Sequence, residues 1–183
     1  GLALDTGCGG GGLTVRLAPD FRLVIGIDRS FLAVLLARRA VLGRPEPERS
    51  YRLTTHRGQE AHRPLSIRRA RNAEFVVGDC CALPFPAGLF DAVCSSNLID
   101  IAGLDPTLRE AERALRTGGL LLLTDPFYFP EGDAPPGEPR EAVLSLLSSL
   151  GLNLLAERDG VPWAWATYDR HWRVYFNWCA AAE

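Results

Sequence analysis

The sequence predicts an α/β protein with a doubly wound, mostly parallel seven-stranded sheet, helices on both faces and an antiparallel hairpin at the C-terminal edge. Over the first two thirds of the chain, apolar strand-like segments alternate with helix-like stretches, which is typical of parallel βαβ units. The last two strand-like segments follow each other without a helix, which favours an antiparallel hairpin. The 183 residues are 47% hydrophobic and contain no internal repeat, so we expect a single domain, residues 1–183.

The first half of the chain carries two predicted strands and two predicted helices. Residues 1–4 form a buried strand that leads into a glycine turn, and a short helix follows until Pro19. Residues 21–27 contain Val and Ile and form the second strand. Ser30 then caps a helix over residues 31–42, because its hydroxyl can accept a hydrogen bond from a free N–H of the first turn.

The other five predicted strands follow after residue 72. They cover residues 74–77, 91–95, 120–124, 152–157 and 173–180. Asp105 and Pro106 are suited to be the N-cap and first residue of a helix that runs to about residue 115. A further helix is predicted from about residue 140 to residue 150, and Gly151 ends it.

Residues 44–72 form a predicted insertion between the second helix and the third strand. Residues 38–71 hold ten arginines and three glutamates. Such a segment is either a patch that recruits an anionic acceptor or nucleic acid, or a solvated, partly disordered insertion. We favour the second interpretation, because the segment lacks the interleaved aromatic residues expected of single-strand binding.

Composition excludes several other classes of protein. A net charge of −2 gives no general attraction to nucleic acid or to anionic membranes. No apolar run reaches the roughly 20 residues of a membrane helix. The five cysteines form no CxxC pair, so we expect free thiols, no metal site and a cytoplasmic protein. The chain holds no methionine and begins inside a predicted strand, so we expect an N-terminal segment before residue 1.

A glycine turn, LDTGCGGGG at residues 4–12, lies between the first strand and the first helix. Glycines in this setting let a ligand contact the backbone, and the start of the helix offers free N–H groups. The spacing of Gly7, Gly9 and Gly12 also fits the fingerprint of dinucleotide-binding proteins. The turn alone therefore leaves the cofactor open.

Three acidic residues bear on whether the turn binds a nicotinamide dinucleotide or S-adenosylmethionine. Asp5, two residues before Gly7, would repel a pyrophosphate but favours the ammonium and sulfonium of S-adenosylmethionine. Asp28 ends the second strand and can accept both ribose hydroxyls of either cofactor. Asp79, in the segment GDCCALPFP at residues 78–86, can accept from an adenine amino group. The N–H of Cys80 or Cys81 can donate to a ring nitrogen, a contact outside the dinucleotide fingerprint.

Five segments in register resemble the class I S-adenosylmethionine-dependent methyltransferases. They are the glycine turn, Asp28, the GDCCALPFP segment, Phe90-Asp91 and LRTGG at residues 115–119. The resemblance covers nearly the whole chain and implies S-adenosylmethionine as cofactor and S-adenosylhomocysteine as product. The cofactor-binding residues that it implies are Asp5, Gly7, Cys8, Gly9 and Gly11 for the methionine part, Asp28 for the ribose, Arg29, Asp79 and Cys80 for the adenine, and Ser95 for the methyl-donor end. Arg29 has an alternative as a solvated residue at the start of the second helix.

For such an enzyme we expect in-line methyl transfer, in which the protein chiefly positions the acceptor and excludes water. The candidate catalytic residues are Asn97, Tyr128 and His171. Each has a structural alternative: Asn97 as a turn residue, Tyr128 as part of an acid and aromatic group at residues 125–129 that packs the loop, and His171 as a structural histidine. Asn97 is not followed by Pro-Pro-Tyr, which favours a small molecule over a nucleobase amine as acceptor.

Two other functions fit parts of the pattern. One is an NAD(P)-dependent oxidoreductase, which leaves Asp5 and Asp79 unexplained. The other is a protein with the methyltransferase fold that works as a non-catalytic interaction module. The intact cofactor residues speak against complete loss of cofactor binding in that second case. An active methyltransferase with a small-molecule acceptor is the function that we expect.

Overall fold

A computed structural model describes residues 1–43, 50–55, 57–64, 68–168 and 171–183. The strands are β1 (Leu2–Thr6), β2 (Leu23–Asp28), β3 (Ser50–Thr54), β4 (Glu60–Pro64), β5 (Ala73–Val77), β6 (Phe90–Ser96), β7 (Leu115–Asp125), β8 (Leu154–Tyr168) and β9 (His171–Ala182). The helices are α1 (Gly12–Leu17), α2 (Phe31–Val41), α3 (Ile99–Ala102), α4 (Leu104–Ala114) and α5 (Pro139–Ser149).

Seven of the strands form one sheet in the order β5-β2-β1-β6-β7-β9-β8. The first five of these are parallel, whereas β9 is antiparallel to both β7 and β8. The predicted fold class is therefore confirmed, including the antiparallel hairpin at the C-terminal edge. The chain winds one way from β1 to β5 and the other way from β6 onward, and ligands bind such sheets at the carboxyl ends of the strands beside this switch.

The hydrophobic core consists of two clusters, one on each face of the sheet. Val15 of α1 and Val34 of α2 belong to one cluster, and Leu108 of α4 and Val143 of α5 belong to the other. All four side chains are almost completely buried. The helices therefore cover both faces, as predicted, and hold the central strands in place at the switch.

Two predicted boundaries around α4 and β7 were wrong. The helix begins at Leu104 with Gly103 at its N-cap, while Asp105 instead forms an ion pair with Arg109 at 2.9 Å. The strand begins at Leu115 rather than residue 120. A bulge in its pairing with β6, together with the left-handed Gly118 at φ 70°, lets the glycine segment continue as strand.

The C-terminal hairpin and the arginine-rich insertion carry more regular structure than predicted. Strands β8 and β9 are 15 and 12 residues long, because their antiparallel pairing continues beyond the end of β7 as far as Tyr168 and His171. The insertion contains a separate antiparallel hairpin of β3 and β4, and residues 44–49, 56 and 65–67 of it lie outside the described residues. None of the described helices is long and apolar enough to cross a membrane.

Candidate functional site

A cavity of about 360 Å³ opens where the winding of the sheet reverses. It is lined by residues that follow the carboxyl ends of β1, β2, β5 and β6, and we call it the switch-point cavity. Six of the predicted site residues line it, namely Gly7, Asp28, Arg29, Asp79, Cys80 and Asn97. Predicted residues that lie as much as 90 positions apart in the chain are therefore brought together in one cavity.

The glycine turn adopts a backbone that few other residues tolerate. Gly7, Gly9 and Gly11 have φ angles of 68°, 49° and 81°, in the left-handed region that favours glycine. A Cβ on Gly7 would lie 2.7 Å from the Leu98 side chain, and one on Gly11 would lie 2.8 Å from the Phe75 ring. A Cβ on Gly9 would meet nothing within 4 Å. Gly7 and Gly11 are thus required by packing, whereas Gly9 leaves open space.

Asp28 fixes the turn to the end of β2. Its Oδ2 accepts a hydrogen bond from the Gly9 N–H at 2.9 Å, and its Oδ1 accepts one from the Ser30 N–H at 2.8 Å. A carboxylate has about four acceptor positions, so two remain for a ligand. The half-buried carboxylate is therefore held in place and still able to accept from a pair of hydroxyls.

The segment after β5 turns sharply on its acidic residue. Oδ1 of Asp79 accepts from the Cys81 N–H at 2.8 Å, and the Sγ atoms of Cys80 and Cys81 lie 3.9 Å apart as free thiols. Burial, followed by the neighbouring Cys81, raises the pKa of Cys80 to about 12. Asp79, Cys80 and Cys81 also offer metal-ligand atoms within 4.8 Å of one another, a cluster that we did not predict. The raised pKa of Cys80 disfavours the thiolate form that binds a metal.

Two predicted cofactor residues lie beneath the turn rather than in the cavity lining. Asp5 is 1% exposed, and its Oδ2 accepts from the Thr14 hydroxyl at 2.6 Å. Burial raises the pKa of Asp5 to about 6, although the hydrogen bond from Thr14 works in the opposite direction. Cys8 is also buried, and its N–H donates to the carbonyl of Ile27 at 3.0 Å. The contact of either residue with a cofactor stays a prediction.

Asn97 leaves β6 in a left-handed conformation, with φ 52°. Its N–H donates to the carbonyl of Thr124 at 2.7 Å, and its Oδ1 accepts from Nδ2 of Asn177. The same Nδ2 donates to the Thr124 hydroxyl at 3.0 Å. Ser95 is 3% exposed, and neither its Oγ nor Oδ1 of Asn177 has a hydrogen-bond partner. Polar atoms from three strands therefore meet beside the cavity.

Asp125, the acid of the group at residues 125–129, is 1% exposed and binds backbone. Its Oδ2 accepts from the N–H groups of Leu98 and Ile99, each at 3.1 Å, and its Oδ1 accepts from the Phe127 N–H at 2.9 Å. Burial, followed by the charge of Asp100, raises the pKa of Asp125 to about 6. The carboxylate joins the loops that follow β6 and β7.

The remaining two candidate catalytic residues lie outside the cavity lining. Tyr128 is 71% exposed, its N–H donates to Oδ2 of Asp100 at 3.1 Å, and its ring lies 5.9 Å from that of Tyr175. His171 begins β9, six residues before Asn177, which is about 20 Å along an extended strand. The Tyr128 ring thus lies against Tyr175 of β9, two residues from Asn177, whereas His171 is not brought to Asn177.

Sequence reasoning missed Asn177 and the role of Asp100. Asn177 is 2% exposed inside the otherwise apolar segment VYFNWCA, and a polar residue at a core position of a strand is a signal that could have identified it. Asp100 is 6% exposed, and burial raises its pKa. Nothing in the local sequence indicates that its partner is the backbone of Tyr128, 28 residues away.

Comparisons with known proteins agree on one family. A family model described as a methyltransferase domain matches residues 4–123. The ubiquinone/menaquinone biosynthesis C-methyltransferase UbiE of Hahella chejuensis is 44% identical over 55 residues, which are 30% of this chain and 22% of that protein. The chain thus matches about a fifth of the length of this curated relative.

Solved structures share the fold at low sequence identity. A putative methyltransferase from Bacillus halodurans superposes with a TM-score of 0.68 at 16% identity, covering 99% of this chain and 91% of that one. Geranyl diphosphate methyltransferase in complex with S-adenosylmethionine gives 0.67 at 16% identity, covering 100% and 77%. The 4+2 cyclase SpnF gives 0.62 at 24% identity, covering 86% and 54%.

Proposed function

The chain belongs to the methyltransferase domain family, and we propose that it transfers the methyl group of S-adenosylmethionine to a small-molecule acceptor. The observation that carries the proposal is the convergence of the glycine turn, Asp28 and Asp79 on one cavity beside Asn97. These residues come from four different strand ends. The carboxylates of Asp28 and Asp79 bind backbone N–H groups of the neighbouring turns and keep further acceptor positions for a ligand.

The chemistry of the cavity fits the proposed cofactor. A volume of about 360 Å³ is at the lower end of the range for ligand pockets, and the open space at Gly9 lets a ligand approach the backbone. The two free acceptor positions of Asp28 suit the ribose hydroxyls. Asp79 and the backbone of Cys80 suit the adenine edge, and Arg29 lies along the same wall.

The buried carboxylate of Asp5 acts through charge rather than contact in this proposal. It lies under the turn and raises the pKa of Cys8 to about 12 together with burial, which is the larger effect. The negative charge there stabilises an ammonium bound on the other side of Gly7 and Gly9. A pyrophosphate in the same place would be repelled, which disfavours the NAD(P)-dependent alternative.

The protein's contribution to the reaction is positioning. S-adenosylmethionine supplies an electrophilic methyl group, whose carbon accepts the acceptor's lone pair while the electrons of the C–S bond return to sulfur. Asn97, held by Asn177 and the Thr124 carbonyl, orients the acceptor beside the cavity, and Tyr128 closes the outer side. The Ser95 hydroxyl and the Asn177 amide oxygen supply further polar atoms beside Asn97. His171 has no role in the proposed reaction.

A small-molecule acceptor fits the electrostatics better than nucleic acid does. Arg52 and Arg63 of the insertion belong to a hairpin, β3 with β4, that does not join the main sheet. None of the described residues lining the switch-point cavity belongs to this insertion. We therefore retain the arginine-rich segment as a solvated insertion.

Calorimetric titration with S-adenosylmethionine, S-adenosylhomocysteine and NAD tests the proposal. We expect the first two to bind and NAD not to bind. Asp28→Ala should weaken binding of S-adenosylhomocysteine at least about tenfold, equal to about 1.4 kcal/mol. Asp20→Ala, at an exposed position in the turn after α1, is the matched control and should bind normally. Binding of NAD alone, or equal effects of both substitutions, would refute the cofactor assignment.

A further inference from the structure

Three aromatic rings form a continuous surface outside the switch-point cavity, and we call it the aromatic wall: Tyr128, Trp163 and Tyr175. The Tyr128 and Tyr175 rings are 5.9 Å apart and the Trp163 and Tyr175 rings 5.4 Å apart. Trp163 is 38% exposed and Tyr128 is 71% exposed. Leaving aromatic surface in contact with water costs free energy, and packing in the core does not explain these exposed rings.

The aromatic wall is connected to the cavity through β9. Tyr175 and Asn177 are two residues apart in a regular stretch of β9, so their side chains are on the same face of the strand. Asn177 in turn binds Asn97, which lines the cavity. A volume of about 360 Å³ is at the lower end of the range for one ligand, so an acceptor bound beside the cofactor needs space outside this cavity.

The polar atoms beside the aromatic wall are acceptors in need of donors. Oδ1 of Asp100 and Oδ1 of Asn177 have no hydrogen-bond partner although both side chains are more than nine tenths buried. Buried acceptors of this kind are normally satisfied by a ligand or by water. The carboxylate of Asp100 also accepts a hydrogen bond from the backbone N–H of Tyr128, so its negative charge lies close to the aromatic wall.

The charge at this end of the sheet is negative. Asp100 and Asp125 take part in no salt bridge among the described residues, and the hydrogen bonds found for both come from backbone N–H groups. Residues 126–138 contain three acidic residues and no basic one. Arg173 is on the same face of β9 as Tyr175, but it is four residues from Asn177 whereas Tyr175 is two residues from it. The end nearest Asn177 is therefore the end that attracts a cation.

We propose that the aromatic wall binds an organic ammonium group of the acceptor, an assignment that rests on the proposed methyl transfer. Aromatic faces with nearby carboxylates attract organic cations, because the ring quadrupole and the charges act in the same direction. The ammonium is the anchoring group and not the nucleophile, since a tetravalent nitrogen has no lone pair to donate. The nucleophilic atom belongs to another part of the same molecule, which reaches past Asn97.

Choline and its neutral isostere 3,3-dimethylbutan-1-ol separate charge from shape. Both are titrated by calorimetry at constant ionic strength, with and without saturating S-adenosylhomocysteine. We expect choline to bind at least about tenfold more tightly than the neutral alcohol. Tyr128→Leu and Trp163→Leu should each weaken choline binding at least about fivefold, whereas Tyr175→Phe should retain it because the ring remains.

Trp172→Leu is the matched control. Trp172 is 59% exposed on the same hairpin and, three residues from Tyr175, lies on the opposite face. Equal binding of choline and the alcohol, or an equal loss in Trp172→Leu, would overturn the proposal. If S-adenosylhomocysteine does not bind, the proposed function fails, and the titrations without it still test the aromatic wall.

Discussion

The carboxylate under the glycine turn should make the protein less stable as the pH rises. Burial raises the pKa of Asp5 from 3.8 to about 6, so the folded chain keeps a proton that the unfolded chain has already lost. Between these two pH values folding takes up a proton, and the stabilisation present at low pH is lost as the pH rises. A shift of about 2 pKa units corresponds to about 3 kcal/mol.

Asp5→Asn removes this dependence while keeping the shape of the side chain. Its Oδ1 can still accept from the Thr14 hydroxyl, which now donates to Asp5 at 2.6 Å. Relative to the wild type, the free energy of unfolding of the variant should therefore improve by about 2 kcal/mol between pH 4 and pH 7. Its affinity for S-adenosylhomocysteine should fall about tenfold at pH 7, because the charge that favours an ammonium is gone.

Urea unfolding of both proteins at pH 4, 5, 6 and 7 measures the effect. Asp20→Asn removes an exposed carboxylate and corrects for the change in net charge. A stability difference between wild type and Asp5→Asn that does not vary with pH would refute the reasoning about burial. A variant that binds S-adenosylhomocysteine normally would show that the charge serves no cofactor.

Three other substitutions test the neighbouring parts of the site. Gly11→Ala should lower the free energy of unfolding by about 2 kcal/mol in urea, because φ is 81° and the new Cβ would lie 2.8 Å from the Phe75 ring, whereas Gly10→Ala should change it by less than about 1 kcal/mol. Asp125→Ala removes the acceptor of three backbone N–H groups and should cost at least about 3 kcal/mol in the same assay; a loss below about 1 kcal/mol would contradict the joining role. Asn97→Ala should reduce turnover about tenfold or more, measured with an identified acceptor. Its affinity for S-adenosylhomocysteine, measured by calorimetry, should change less than threefold. Normal turnover with weakened S-adenosylhomocysteine binding would show that Asn97 binds the cofactor instead.

The sequence was informative where a functional residue directly follows a strand. Asp28 and Asp79 come at the ends of β2 and β5, and parallel strands bring their carboxyl ends to one edge of the sheet. Their location in one cavity therefore needed only the order of the strands. Gly7 and Gly11 were found for the same reason, since the turn after β1 must approach its neighbours closely.

The rest of the site depends on register, which local sequence does not determine. Asn177 meets Asn97 only because Trp178 of β9 is paired with Asp125 of β7, and a shift by one residue would turn the amide to the other face. The prediction ended β8 at residue 157, whereas the strand continues to Tyr168 and carries exposed aromatic residues such as Trp165 at 54%. Burial of Asp125 likewise follows from packing around it and not from its sequence neighbours.

The outer part of the β8 and β9 hairpin has consequences for motion. In the described pairings, β7 ends at Asp125 opposite Trp178, so residues 171–177 have only β8 as a partner. An isolated two-stranded ribbon is marginally stable, and its amide hydrogens should exchange with solvent at a lower opening free energy than those of β1 or β6. A ligand that contacts both this ribbon and the loop after β7 must order the ribbon. The observed affinity of the ligand will therefore be lower than its contacts alone would give, and hydrogen exchange in residues 171–177 will slow when the ligand binds.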